Sequence, residues 1–165
     1  VARFDDPRRV QLVKLDDATG QLVSVSPPIA GATNVAFLGG ALYTIPNQAP
    51  YLLKRVDPAT KVVTDIGPTM TLANVMSLAA EPGGAGLIAA RYTTGPTLHR
   101  VDPNAIDPNT KAVASAVIGT ITWEGMRLPP SDTRVAVSTG PLGATYVLTR
   151  VGRTAAELVV EHCLK

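Results

Sequence analysis

An all-β chain built from repeated four-stranded antiparallel meanders is predicted by three features of the sequence. A phrase of the form Leu-x-x-Leu/Val, closed by Asp or Gly, returns four times and is followed each time by a threonine-bearing turn. A second apolar block repeats in phase with it. Gly- and Pro-rich turns separate short β-rich runs along the whole chain, without helical periodicity.

The first phrase reads Leu12-Val13-Lys14-Leu15-Asp16, then Leu53-Lys54-Arg55-Val56-Asp57, Leu98-His99-Arg100-Val101-Asp102 and Leu148-Thr149-Arg150-Val151-Gly152. Its turns carry Thr19, Thr60, Thr110 and Thr154, spaced 41, 50 and 44 residues apart. The long interval contains a near-duplication, Asp102-Pro103-Asn104 followed by Asp107-Pro108-Asn109. Asp-Pro-x-Thr suits a hairpin because proline presets φ early in the turn and the Asp and Thr side chains bond turn backbone groups. Asp16, Thr19, Asp57, Thr60, Asp102 and Thr110 are therefore expected to cap turns. The i, i+2 spacing in Lys14 with Asp16, and in Arg100 with Asp102, predicts an ion pair beside each turn, since alternate strand residues share a face.

The second block aligns Asn34-Val35-Ala36-Phe37-Leu38 with Asn74-Val75-Met76-Ser77-Leu78 and Glu124-Gly125-Met126-Arg127-Leu128. After a turn, each is followed by another apolar run, Ala41 to Ile45, Gly86 to Ala90 and Arg134 to Ser138. Four strands per repeat, here a to d, with a period in the forties is the pattern of β-propeller blades. Residues 1–165 read as one propeller domain or segment, with a partial blade near 1–26 and complete blades near 34–66, 74–118 and 124–163. Val1 to Phe4 matches strand b of the partial blade, whose strand a is missing.

Composition narrows the function classes. The net charge of +2 comes from scattered Lys and Arg and aromatics make up 4%, which argues against nucleic acid. The longest uncharged stretch, Gln21 to Leu53, is broken by Pro27, Pro28, Pro46, Pro50 and several glycines, so it reads as β structure and not as a membrane span. Charged residues at 17% and hydrophobic residues at 45% suggest side chains that face protein rather than water. Val1 is not an initiator Met and Val1 to Val10 holds no apolar core of signal-peptide length, so a processed, excised or incomplete front end is expected. The single cysteine, Cys163, excludes an internal disulfide and is either a free or buried thiol or an interchain bridge.

Val56-Asp57-Pro58-Ala59-Thr60-Lys61-Val62-Val63, followed by Asn74 to Ala90 with its Glu81-Pro82-Gly83-Gly84 turn, resembles the YVTN-type β-propeller repeat. The likeness runs through all repeats, with Gly152-Arg153 replacing Asp-Pro in the last. It implies a propeller fold, while its motifs leave the function open. The matching positions Asn34, Asn74 and Glu124 open strand a, which lines a propeller's channel, and offer oxygen donors suited to Ca²⁺. They are similar to the Asn/Glu metal site of gluconolactonase-like propellers. The competing reading is that each simply caps the preceding turn. Trp123, beside Glu124, is a pocket-lining candidate or a blade-core aromatic. His99 and His162 have no acidic or nucleophilic partner in local sequence, and His162 and Cys163, as neighbours on a strand, would point to opposite faces.

These features favour a non-enzymatic binding or scaffolding propeller, located outside the cytoplasm or at the cell surface, whose partner is another protein or further blades of the same protein. The alternatives are a fragment of a divalent-cation-dependent, lactonase-like enzyme with calcium as its cofactor, and a structural subunit of a surface layer, fibre or capsid.

Overall fold

The computed structural model describes residues 2–6, 9–69, 72–92, 95–120, 122–123, 126–127, 134–139, 145–150 and 156–159, with side chains placed for 11–69, 72–92, 95–120 and 136–138. These residues are all β, in antiparallel sheets and without a helix, as the sequence predicts. No helix among them is long and apolar enough to cross a membrane.

The first sheet contains β1 (Ala2–Asp6), β2 (Arg9–Leu15), β3 (Leu22–Ser24) and β4 (Ile29–Ala30), with β3 and β4 both pairing β2. Its outer strand is interrupted at Pro27-Pro28, where proline has no N–H for a ladder. Side chains fill the gap: Ser26 Oγ accepts the Leu12 N–H at 2.9 Å, and Gln11 Nε2 donates to Ser24 Oγ at 2.7 Å and the Ser26 carbonyl at 3.1 Å.

The second sheet is an unbroken meander of β5 (Ala36–Leu38), β6 (Ala41–Thr44), β7 (Leu52–Val56) and β8 (Val63–Pro68). The third repeats it as β9 (Val75–Ala80), β10 (Leu87–Tyr92), β11 (Pro96–Ile106) and β12 (Val113–Thr120). β13 (Thr122–Trp123) and β14 (Met126–Arg127) form a two-stranded ribbon, and β15 (Arg134–Thr139), β16 (Thr145–Arg150) and β17 (Ala156–Val159) form the last sheet.

Strand alternation turns these sheets into a stack. Leu53 and Val56 are three apart on β7, so they point to opposite faces. Val56 joins Leu12, Val25, Ile29 and Ala32 of the first sheet, with Leu42 and Val63 packed against them. Leu53 instead joins Ala41, Tyr43 and Ile45 against Leu78, Leu87, Ala89, Val101 and Val113 of the third sheet. On the far face of that sheet, Ala79, Ile88, Ala90 and Leu98 cover Val137 of β15. Leu12, Leu53 and Leu98, one per repeat, thus each pack toward the following blade. Fully burying a side chain of this size is worth about 1.5–3 kcal/mol over leaving it exposed, so each junction is held by several such contributions.

Two local expectations change. The turn of the third blade falls on Asp107 to Lys111, because β11 runs on through the first Asp-Pro-Asn copy. The extra residues are absorbed where the register steps from Asp102↔Ala114 to Ile106↔Val113. The ion pairs also differ: Arg100 pairs with Glu81 in the β9–β10 turn, and Lys54 pairs with Asp65 across β7 and β8. Cross-strand register brings these partners together, and the Asp102 carboxylate is instead bonded to the Asn104 N–H at 2.9 Å.

Candidate functional site

The repeated hairpins have one chemistry. In each, the backbone N–H of the turn's fifth residue bonds the Asp carbonyl at 2.8–2.9 Å, closing Asp16 to Gly20, Asp57 to Lys61 and Asp107 to Lys111. That fifth residue is left-handed, with φ of 68° at Gly20, 60° at Lys61 and 58° at Lys111. Asp16 Oδ1 accepts the Ala18 and Thr19 N–H groups at 3.0 and 2.8 Å, Asp57 Oδ1 those of Ala59 and Thr60 at 2.8 and 3.3 Å, and Asp107 Oδ1 those of Asn109 and Thr110 at 2.8 Å. These N–H donors hold all three carboxyls below the usual carboxylate range. The threonines complete the turns, Thr19, Thr60 and Thr110 Oγ1 accepting the N–H of Gln21, Val62 and Ala112. A shallow surface depression runs beside the third hairpin, with Ile106, Asp107 and Thr110 among its lining residues.

The candidate channel residues are placed differently from one another. Asn34 is buried and fully engaged: its amide oxygen accepts the Ile45 N–H at 3.0 Å, and its Nδ2 donates to the Ile45 carbonyl at 2.9 Å and the Val75 carbonyl at 3.3 Å. It therefore bonds β6's end within its own blade and the innermost strand of the next blade, 41 residues on. Asn74 is exposed, adopts a left-handed φ of 58° and accepts the Tyr92 N–H through its carbonyl at 3.2 Å. Trp123 pairs with Met126 in β13, its side chain outside the described set, and Glu124 lies outside the described residues altogether, as do His162 and Cys163. No group of three or more His, Cys, Asp or Glu able to hold a metal occurs among the described residues.

Two further polar groups sit at blade junctions. Ser77 Oγ accepts the Val137 N–H at 3.0 Å and lies 3.5 Å from the Val137 carbonyl, joining the third blade to the last. His99 is buried beside Thr97, with Nε2 and Oγ1 3.0 Å apart. Burial, and secondarily the charge of Arg91, lowers its pKa and favours the neutral ring. Arg91 is held by its Nε donating to the Ala73 carbonyl at 3.1 Å. The Ser77 bond had no local sequence signal, because its partner is 60 residues away.

Large apolar side chains emerge at specific places. Leu15 is 50% exposed and Leu22 53%; Val56, which matches Leu15 in the second blade, is at 0% and Val113, which matches Leu22 in the third, at 3%, while Ile106, opposite Val113 and before Asp107, is 42% exposed. Phe37, 59% exposed, pairs with Leu42 and so shares its face, toward the first blade.

No family model matches the sequence, and no curated protein sequence does either. Solved structures do resemble the fold. TolB from Acinetobacter baumannii matches with a TM-score of 0.58 at 13% identity, over 95% of this chain and 36% of that one. The periplasmic gluconolactonase PpgL of Pseudomonas aeruginosa matches with a TM-score of 0.54 at 14% identity, over 90% of this chain and 45% of that one. Both are β-propellers, so the fold is of the propeller type, and the chain spans less than half the length of either.

Proposed function

We propose that this chain is a YVTN-like propeller module that binds protein through its blade faces and works outside the cytoplasm. The observation that carries this reading is the placement of Leu15, Leu22 and Phe37. Large apolar groups are exposed at these positions, although Val56 and Val113, which match Leu15 in the second blade and Leu22 in the third, are buried between blades. Exposed apolar surface of this kind marks an interaction site or an association hazard. Chemistry-bearing groups are meanwhile engaged in structure: the Asp16, Asp57 and Asp107 carboxylates on turn N–H groups, and the Asn34 amide on backbone. The periplasmic location in PpgL's name supports a site beyond the cytoplasm.

The competing reading is a calcium-dependent lactonase built on Asn34, Asn74 and Glu124, which the name of PpgL favours. Hydrolysis of a sugar lactone, followed with and without calcium, separates the two, together with the thermal midpoint in each condition. The binding reading expects no turnover above background and no calcium-dependent shift. Calcium-dependent turnover abolished by Glu124→Gln would overturn it.

A further inference from the structure

Independently of what the blade faces bind, we infer that the outer edge of β12, in the third blade, pairs with β12 of a second copy of this chain, antiparallel across a two-fold axis. A sheet edge presents unpaired N–H and C=O groups, and native proteins guard it with charge, proline or short strands. Other edge strands of the chain follow that rule. β3 is three residues long and is followed by Pro27-Pro28, β8 contains Asp65 and Pro68, and β17 contains Glu157. β12 is eight residues long and has neither charge nor proline. It ends the sheet order β12-β11-β10-β9, and no strand among the described residues pairs with its other side. Blades pack through their faces, so this edge stays outside the contacts that build the stack.

The insertion of the third blade lies beside this edge. Ala105 and Ile106, from the duplicated Asp-Pro-Asn segment, join Val113 and Ala114 in lining a depression of about 410 Å³, with Ile106 42% exposed. Beyond it, Ala114 to Val117 pair residue by residue with Asp102 to His99, up to a bulge at Ile118. Val117 is 63% exposed. An antiparallel pair centred on Ser115 sets Val113 opposite Val117 and Ala114 opposite Ala116, so each copy's Val117 meets the rim of the other's depression. The charges select this register. Arg100 pairs with Ala116 and Asp102 with Ala114 in the β11–β12 ladder, and directly paired residues share a face. Centred on Ser115, each row across the joined sheets runs from Arg100 and Ala116 to Ala114 and Asp102 of the second copy, with opposite charges at its ends. Centring on Ala116 would instead put Arg100 at both ends of one row. A strand that is uncharged, small-chained and its own complement in this register fits a copy of itself.

The contact is isologous, so it stops at two chains. The test is the mass of the chain by light scattering over a concentration series, with amide hydrogen exchange read at both ends of the series. Wild type is expected to rise from 17.2 kDa to twice that mass, with slowed exchange confined to 113–120. Val117→Lys places a charge at a residue already exposed and is expected to hold the single-chain mass throughout. Should that variant fold poorly, Val117→Thr keeps strand propensity and is expected to raise the midpoint concentration of association several-fold. Leu15→Glu/Leu22→Glu is expected to leave the dimer unchanged, so loss of blade-face binding and loss of this contact are told apart. A single-chain mass at every concentration, an open-ended ladder of masses, or protection elsewhere than 113–120 would overturn the inference. So would a dimer indifferent to both Val117 variants, or one abolished by the Leu15 and Leu22 changes.

Discussion

Replacing Asn34 with alanine separates a structural latch from a metal ligand. The amide makes three bonds to backbone groups of Ile45 and Val75, both residues fully buried, so truncation leaves one N–H and two carbonyls without that partner. An unsatisfied buried group costs about 1–3 kcal/mol, and carbonyls with a second lone pair fall at the low end, so the expected loss is about 2–4 kcal/mol. For a chain of this length each kcal/mol moves the midpoint by roughly 2–4 °C, giving a fall of about 4–16 °C. Urea denaturation at fixed protein concentration measures the loss, with an unchanged slope showing that the same surface unfolds. Asn34→Asp keeps the acceptor for the Ile45 N–H but turns a carboxylate oxygen toward two carbonyls. It should be destabilised at neutral pH and recover partly as the carboxyl protonates. An alanine variant as stable as wild type would refute the latch, and loss of calcium binding in that variant would make Asn34 a ligand.

Gly67 tests the fit between blades: a Cβ there would lie 2.4 Å from the Lys111 carbonyl oxygen and 3.3 Å from Val113 Cγ2. Gly67→Ala is expected to cost about 1–3 kcal/mol by overpacking, read by denaturation, and a neutral outcome would place the third-blade hairpin elsewhere. The hairpin aspartates give a pH signature. Because Asp16, Asp57 and Asp107 have folded pKa values below the ordinary 3.8, their stabilisation is complete above that value and is lost as pH falls through the folded values. Asparagine at all three keeps an acceptor without the titration, so acid unfolding curves should show a shallower decline below pH 3.8, and identical curves would deny the aspartates this role. Lys61→Gly relieves a left-handed φ of 60°, where L-residues are disfavoured by about 1–2 kcal/mol, and should raise the urea midpoint. A lowered midpoint would mean that the lysine side chain contributes more than the strain costs.

What the sequence made legible was local. Asp57 and Thr60 are three residues apart and bond each other's turn, so composition and spacing suffice to place the hairpin. The duplicated Asp-Pro-Asn splits two signals, since the Leu-x-x-Val phrase ends at Asp102 while the Asp-Pro-x-Thr spacing falls on Asp107 with Thr110, and the β11–β12 register follows the second. Arg100 shows the same limit: its carboxylate partner is Glu81, brought near by the β9–β10–β11 pairing rather than the i+2 Asp102. Asn34 was visible as a repeated polar position, but its bond to Val75 crosses a blade junction and needs the stack to exist. Leu15 looked like any core residue of a strand. Its exposure emerges only in the folded stack, where Val56, in the same place before its turn Asp, is buried and Ile106 is 42% exposed.

The most direct test is a methyl NOESY spectrum on the isotope-labelled chain. Within each chain, cross-peaks should join Val56 to the Leu12 group, Val101 to the Leu53 group and Val137 to the Leu98 group, since each set packs in one cluster. The absence of these blade-to-blade peaks would contradict the stack itself.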